Sequence, residues 1–337
     1  MKAFEEVSRR LHAIYRQALA DSNRARYDEE LWRYYGHLAT LPGCLKQTRY
    51  VYDLCRLAHF DPEGKVILDA GCGFGALAII LGLMGAHQVH GVDISPTRLP
   101  TFQQMIEDFQ LSPPLNAHFA SAERLDFPAA SFDMILSNEA ISHYHDVDAF
   151  LAEAARLLKP GGVLLIADGN NAVNPRLAAH TRELWLRFEN GPAGPFDGHR
   201  VKKPYVEMRA EIIQEAFPQL DESQVQELAR RTSRMTREQI LQAVQSYLET
   251  GVLPDSIYAP VECPVNPLTG AVLERLFHPA QLAKQIERFG FRASHYAYLG
   301  GAGGNPLVRL ANTLGMALTP LTLRWARSFR IVAVRTG

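Results

Sequence analysis

The feature that most constrains this chain is a short apolar run ending in an acid and a glycine cluster. Residues 65–69 read Lys65-Val66-Ile67-Leu68-Asp69. Ala70-Gly71-Cys72-Gly73-Phe74-Gly75 follow, ahead of an apolar helical stretch over 76–84. A continuous apolar run of that length predicts a strand covered on both faces. Glycines directly after it let the chain turn tightly and let a ligand approach the backbone. The helix behind them offers free N–H groups and a positive dipole end. A second strand over 89–92 ends at Asp93, about 20 residues beyond the first glycine, where a carboxylate can accept both hydroxyls of an adenosine ribose. A glycine turn that only closes strand–helix packing would not account for strand, loop, helix and acid in that order. Gly71, Gly73 and Ala76 also satisfy the relaxed dinucleotide pattern, so the loop alone leaves the nucleotide open.

The alternation continues. Strands are expected over 116–120, 132–136 and 163–167, and helices over about 101–110 and 147–158, the latter stopping at Lys159-Pro160-Gly161-Gly162. Short apolar strands alternating with helices predict an α/β fold with a parallel sheet. From 169 to 277 the alternation stops, and the chain reads as mostly helical with proline-rich joints. It resumes with a helix over 279–289, a strand near 291–299 and a last strand over 329–334. Upstream, Phe4, Val7, Leu11, Ile14 and Ala18 fall at helical spacing. Residues 27–60 also read as helical, interrupted at Leu41-Pro42-Gly43. The expected division is an N-terminal helical cap over 1–60, a nucleotide domain from 61–168 plus 278–337, and an inserted helical lid over 169–277.

Four segments in order resemble the class I S-adenosylmethionine-dependent methyltransferases. They are residues 66–75, Gly91-Val92-Asp93-Ile94-Ser95, Phe132-Asp133-Met134-Ile135-Leu136-Ser137-Asn138 and Leu157-Leu158-Lys159-Pro160-Gly161-Gly162. The resemblance is nearest to the small-molecule group that includes ubiquinone- and sterol-type enzymes. It implies a doubly wound, Rossmann-like, seven-stranded sheet with its last strand pair antiparallel, and S-adenosyl-L-methionine as cofactor, leaving S-adenosyl-L-homocysteine. By position it sets Gly71 and Gly73 against the amino-acid end of the cofactor, with Asp69 and Ala70 supporting the loop. Asp93 would bind the ribose and Ile94 would pack on the adenine. Ser121, Ala122 and Glu123 would meet the adenine edge, with Ser121 standing where relatives usually carry Asp. Asn138, at the end of the fourth strand, would border the cofactor.

The next residues, Glu139-Ala140-Ile141-Ser142-His143-Tyr144-His145-Asp146, are rich in titratable groups and lead away from the sheet edge where ligands lie. Methyl transfer to a hydroxyl, phenol or enolisable carbon requires loss of a proton, a task suited to histidine near neutral pH. His143 is the first candidate base and His145 the second; Glu139 is a candidate for an acceptor amine or the cofactor's amino group. Each also has a purely structural reading, as packing, a helix-start buttress or an ion pair. Asp168 and Asn170 faintly resemble a magnesium set, but turn formation is the preferred reading, and no metal is expected. Trp185, Phe188, Phe196, Tyr205, Phe217, Tyr247 and Tyr258 suggest an apolar acceptor pocket or the core of the insertion.

Thirty-five basic against 36 acidic side chains give a net charge of −1, which argues against nucleic acid as partner. A small-molecule acceptor is expected, and no oligomeric state is implied. Four scattered cysteines without a CxxC pair, and no apolar leader after Met1, point to the cytoplasm. Residues 288–337 hold seven arginines and no Asp, Glu or Lys, so surface contact with a membrane is open to this region, without stable insertion. Its Gly300-Gly301-Ala302-Gly303-Gly304 run reads as a hinge. Two other functions stay open: a nicotinamide-dependent oxidoreductase, and a non-catalytic cofactor-binding scaffold.

Overall fold

The computed structural model describes residues 3–112, 114–300 and 305–337; most of the glycine run read as a hinge lies outside them. The chain divides into two compact units. The first runs to Ile141 and takes in Asp146–Asn171 and everything from His278; the second is Ser142–His145 with Ala172–Phe277.

The first unit opens with α1 (Phe4–Ala18), α2 (Glu30–Tyr35) and α3 (Leu41–Leu57). Alternating elements follow: β1 (Val66–Ala70), α4 (Ala76–Leu83), β2 (Gln88–Asp93), α5 (Arg98–Asp108), β3 (Leu115–Phe119), β4 (Phe132–Asn138), α6 (Val147–Leu157) and β5 (Leu158–Asp168). The second unit holds α7 (Pro175–Asn190), β6 (Gly194–Phe196), β7 (His199–Val201), α8 (Tyr205–Ala216), α9 (Glu222–Arg230) and α10 (Arg237–Thr250). The first unit closes with α11 (Pro279–Glu287), β8 (Phe291–Tyr298), α12 (Pro306–Ala317), α13 (Thr319–Thr322) and β9 (Ser328–Arg335).

Its sheet has seven strands in the order β3-β2-β1-β4-β5-β9-β8. The first five are parallel, and β9 runs antiparallel to both β5 and β8. This is the doubly wound sheet with an antiparallel closing pair expected from the motifs. Strand order reverses between β1 and β4, so a crevice opens beyond their carboxyl ends, where ligands of such sheets lie. Because β1 and α4 are buried almost throughout, their sequences read as continuous apolar runs. Val7, Leu11 and Leu54 of the N-terminal helices share one core with Ile67, Met134 and Leu165 of the sheet.

One expectation is corrected. Leu41-Pro42-Gly43 does not interrupt a helix but starts α3. Thr40 caps it by accepting from the Gly43 amide at 3.2 Å, and a proline in the first turn lacks only an N–H that the helix would leave unused. Within the mostly helical insertion, β6 and β7 form a hairpin. Asp197 and Gly198 between them have φ of 41° and 79°; an Asp-Gly pair suits such a two-residue turn and was the available signal. Within the second unit, Trp185 and Tyr205 are buried, and Phe217 and Tyr247 pack against its core. Trp185 donates from Nε1 to the Glu274 carbonyl at 2.9 Å. These four aromatics contribute to the core of the insertion.

Candidate active site

The loop after β1 is built from three left-handed residues, Gly71 (φ 80°), Gly73 (φ 53°) and Gly75 (φ 73°). Gly71 and Cys72 both donate to the Val92 carbonyl, at 2.9 and 3.0 Å, which ties the loop to the end of β2. A Cβ on Gly75 would sit 2.1 Å from the Phe102 ring, so this glycine is needed for packing as well as for its φ. A Cβ on Gly73 would meet nothing within 4 Å. Gly73 thus turns an open face toward the crevice.

Asp93 closes the arrangement. Its Oδ2 accepts from the Gly73 amide at 2.8 Å and its Oδ1 from Ser95 at 2.7 Å. A carboxylate has about four acceptor positions, so the two amides leave capacity for hydroxyls. Asp69, 2% exposed at the end of β1, is pushed up to about 7, first by burial and then by the nearby negative charge of Asp93. A cation in the crevice would favour its ionised form, so the acidic pair suits a ligand bearing an ammonium or sulfonium.

Beside this loop lies a cavity of about 380 Å³, within the range of small-ligand sites. Asp69, Gly71, Gly73 and Phe74 form its loop side, and Asn138 and Glu139 its β4 side. Tyr34, Tyr35, His37 and Gln47 of the N-terminal segment and Arg98 of α5 complete it. Arg98 is anchored by Glu30 Oε2 at 3.0 Å and lies over the Tyr34 ring at 5.0 Å.

Not every expected residue lines this cavity. Ala70 is buried under the loop, Asp93 touches the crevice through Gly73, and Ile94 is 63% exposed just past β2. Ser121, Ala122 and Glu123 form a turn beyond β3, with Ser121 Oγ accepting from the Glu123 amide at 3.3 Å. Glu139 has a φ of 50°, and its Oε2 accepts from the Gly169 amide at 2.9 Å. That bond holds the carboxylate across the ends of β4 and β5. Asp168 Oδ1 accepts from Asn170, and Asn171 donates to the carbonyls of Leu323 and Ala326. These three residues thus have turn and bracing roles.

His143 and His145 belong to the second unit. His143 is exposed, with Nδ1 3.4 Å from the Val272 carbonyl. A carbonyl only accepts, so this contact draws on the tautomer with its proton on Nδ1. The backbone carbonyls of Tyr144 and His145 accept from Arg275 at 2.8 and 3.3 Å.

The sequence reading missed a chain of contacts behind Asn138. Tyr50 of α3 donates to Asn138 Oδ1 at 2.6 Å and accepts from Arg330 Nη2 at 3.2 Å. Arg330 is 2% exposed, with its guanidinium 4.1 Å from the Tyr298 ring centre. An arginine inside the apolar run of β9 was the one sign that something buried needed a charge there.

Sheet order, glycine loop and paired acids form the arrangement with which doubly wound domains hold nucleotides at a switch point. A family model described as a methyltransferase domain matches residues 68–166. The ubiquinone biosynthesis O-methyltransferase of Brucella ovis is 30% identical over 184 residues, covering 52% of this chain and 70% of that protein. The 2-methyl-6-phytyl-1,4-hydroquinone methyltransferase of a Synechocystis species is 41% identical over 126 residues, 36% of this chain and 38% of that one. The dimethylglycine N-methyltransferase of Parasynechococcus marenigrum is 34% identical over 120 residues, 36% and 43% of the respective chains. The chain therefore spans less than half the length of these last two relatives. It belongs to the class I S-adenosylmethionine-dependent methyltransferases, and the nicotinamide alternative falls away.

Proposed function

We propose that this chain transfers a methyl group from S-adenosylmethionine to a hydroxyl of a small, partly apolar acceptor of the phenol or quinol class. The observation that carries this reading is the open Gly73 face, held by Asp93, beside the cavity that Asp69, Asn138 and Glu139 share. When bound, S-adenosylmethionine supplies a sulfonium methyl already activated for in-line displacement. The chain then has to orient the two partners, exclude water and remove one proton.

Gly71 and Gly73 lie against the amino-acid end of the cofactor, and Asp69 supports the loop beneath it. Asp93 takes the ribose hydroxyls, Ile94 lies under the adenine, and the turn at Ser121, Ala122 and Glu123 meets the adenine edge. Asn138 and Glu139 border the reacting end. A histidine base is proposed from the sequence pattern alone, His143 first and His145 second; neither is among the residues that line the cavity. The hydroxyl assignment draws on the ubiquinone biosynthesis O-methyltransferase relative, and the quinol class also on the hydroquinone relative; the dimethylglycine relative supplies the competing amine class. Four free cysteines suit a reducing cytoplasm as the place of action.

The test is incubation with S-adenosylmethionine and a panel of prenylated hydroquinones, catechols and dimethylglycine, with products read by mass spectrometry. The expected result is an O-methylated phenol or quinol with an equal amount of S-adenosylhomocysteine. A product from dimethylglycine alone would replace the acceptor class. Cofactor binding with no product from any acceptor would overturn the proposed activity. His143→Ala should lower kcat by about 100-fold or more, the usual share of a general base. A loss of only a few-fold would remove His143 from that role and pass the same test to His145→Ala.

A further inference from the structure

The helices α12 and α13, which join β8 to β9, are inverted relative to an ordinary surface helix, whose apolar stripe faces the core. The residues they bury are Asn312, Gly315 and Thr319. Asn312 accepts from the Leu299 amide at 2.9 Å and donates to the Gly300 carbonyl at 3.1 Å. Thr319 Oγ1 accepts from the Ala297 amide at 2.9 Å. Gly315 permits the close approach, since a Cβ there would come 3.1 Å from the Leu299 side chain.

Leu307, Leu310, Leu314, Leu318, Leu321 and Trp325 point the other way and are 50% to 74% exposed. Within α12, Leu307, Leu310 and Leu314 share one face by steps of three and four, and Leu318, Leu321 and Trp325 continue the exposed apolar run through and beyond α13. A contiguous apolar patch of this kind marks an interaction surface. Its charge is one-sided as well. Arg324 and Arg327 are exposed and, among the described residues, pair with no carboxylate. Arg324 lies 5.3 Å from the Trp325 ring centre. The absence of acids from 288–337 concentrates positive charge here on a chain that is neutral overall. No helix among the described residues is long and apolar enough to cross a membrane.

We propose that α12 and α13 dock this protein onto an anionic lipid bilayer. They lie in the interface plane, with the leucines and Trp325 at the acyl boundary and Arg324 and Arg327 among the headgroups. A second copy of the chain fits the surface less well, because a two-fold contact would present the same arginines to each other. The inference rests on the surface alone and does not depend on the identity of the methyl acceptor.

The test is flotation of the whole protein with phosphatidylcholine vesicles, with and without phosphatidylglycerol, alongside sedimentation without lipid. Binding is expected to the phosphatidylglycerol vesicles, to weaken with salt, and to be lost in Leu314→Asp/Leu321→Asp. Arg324→Gln and Arg327→Gln should each weaken it roughly fivefold, one basic residue's share of attraction to an anionic surface. All four positions are exposed, and cofactor affinity confirms that each variant is folded. Failure of the parent protein to float, or floating that survives the double aspartate variant, would overturn the proposal. So would a dimer in lipid-free solution that the same variant disperses while vesicles stay unbound.

Discussion

At the scale of single residues, the site depends on two carboxylates with different surroundings. Asp93 faces two amides and belongs to the loop as much as to any ligand. Asp93→Ala should weaken S-adenosylhomocysteine binding by about 1.5–3 kcal/mol, the range for hydrogen bonds to a charged group, as read by calorimetry. Asp69 is raised to about 7 by burial and by Asp93. Its folded value lies above that of a free carboxyl, so between about 4 and 7 the folded protein keeps a proton that the unfolded chain has released. Stability contributed at this residue is therefore highest in acid and falls as pH rises through that window. A bound cation acts the other way: cofactor affinity should rise toward pH 7 with release of a proton, and Asp69→Asn should flatten the dependence. Calorimetry in two buffers of different ionisation heat measures that proton. Both acids were legible in the sequence because each ends an apolar strand beside a glycine or at the next strand's tip. The Tyr50–Asn138–Arg330 contacts were not. They join residues 88 and 280 positions apart, and no local pattern encodes a meeting of that kind.

At the scale of elements, the glycine loop separates folding from binding. Gly75→Ala drives a Cβ into Phe102 and should cost about 1–3 kcal/mol, as other overpacked sites do, seen as a lower midpoint in denaturant. Gly73→Ala meets open space. It should lower stability by only about 1 kcal/mol, for the left-handed φ, yet weaken cofactor binding strongly, because its Cβ enters the crevice. The pairing of β2 with β3 carries a pH signature. His90 Nδ1 and His118 Nε2 are 2.9 Å apart in stacked rings, and burial followed by the neighbouring His118 lowers His90 to about 4. The unfolded chain takes up its proton near pH 6.5, the folded one only near 4. Stability is thus complete above 6.5 and is lost as pH falls toward 4. His90→Phe should reduce this acid slope in thermal unfolding scans. The buried strands could be read because both faces are covered and the apolar run is unbroken. The start of α3 could not, because Pro-Gly reads as a break in a helical stretch and here lies in a helix's first turn; the β6–β7 hairpin could not, because its strands are only three residues long.

At the scale of the molecule, the two units have separate cores, and the second is organised around a buried ion pair. Arg209 and Glu189 are each about 1% exposed and 2.5 Å apart; Ser233 adds a hydrogen bond to Glu189, and Arg209 Nε donates to the Ala229 carbonyl. Removing one partner of such a pair leaves a buried charge and costs about 3–5 kcal/mol. Glu189→Ala should therefore destabilise the second unit while S-adenosylhomocysteine still binds the first, a contrast that hydrogen exchange of the two segments would display. The doubly wound sheet followed from the order of the motifs, since each lies on or beside one of its strands. The role of the insertion's aromatics did not follow, because pocket walls and cores draw on the same residue types. The central claim is that the loop of residues 71–75 with Asp93 is an S-adenosylmethionine site. Calorimetric titration of S-adenosylhomocysteine into the parent protein and Asp93→Ala tests it most directly. The account predicts one site per chain, weakened at least tenfold by the substitution and not competed by NAD. Absence of binding to the parent protein, or equal affinity in the two, would contradict it.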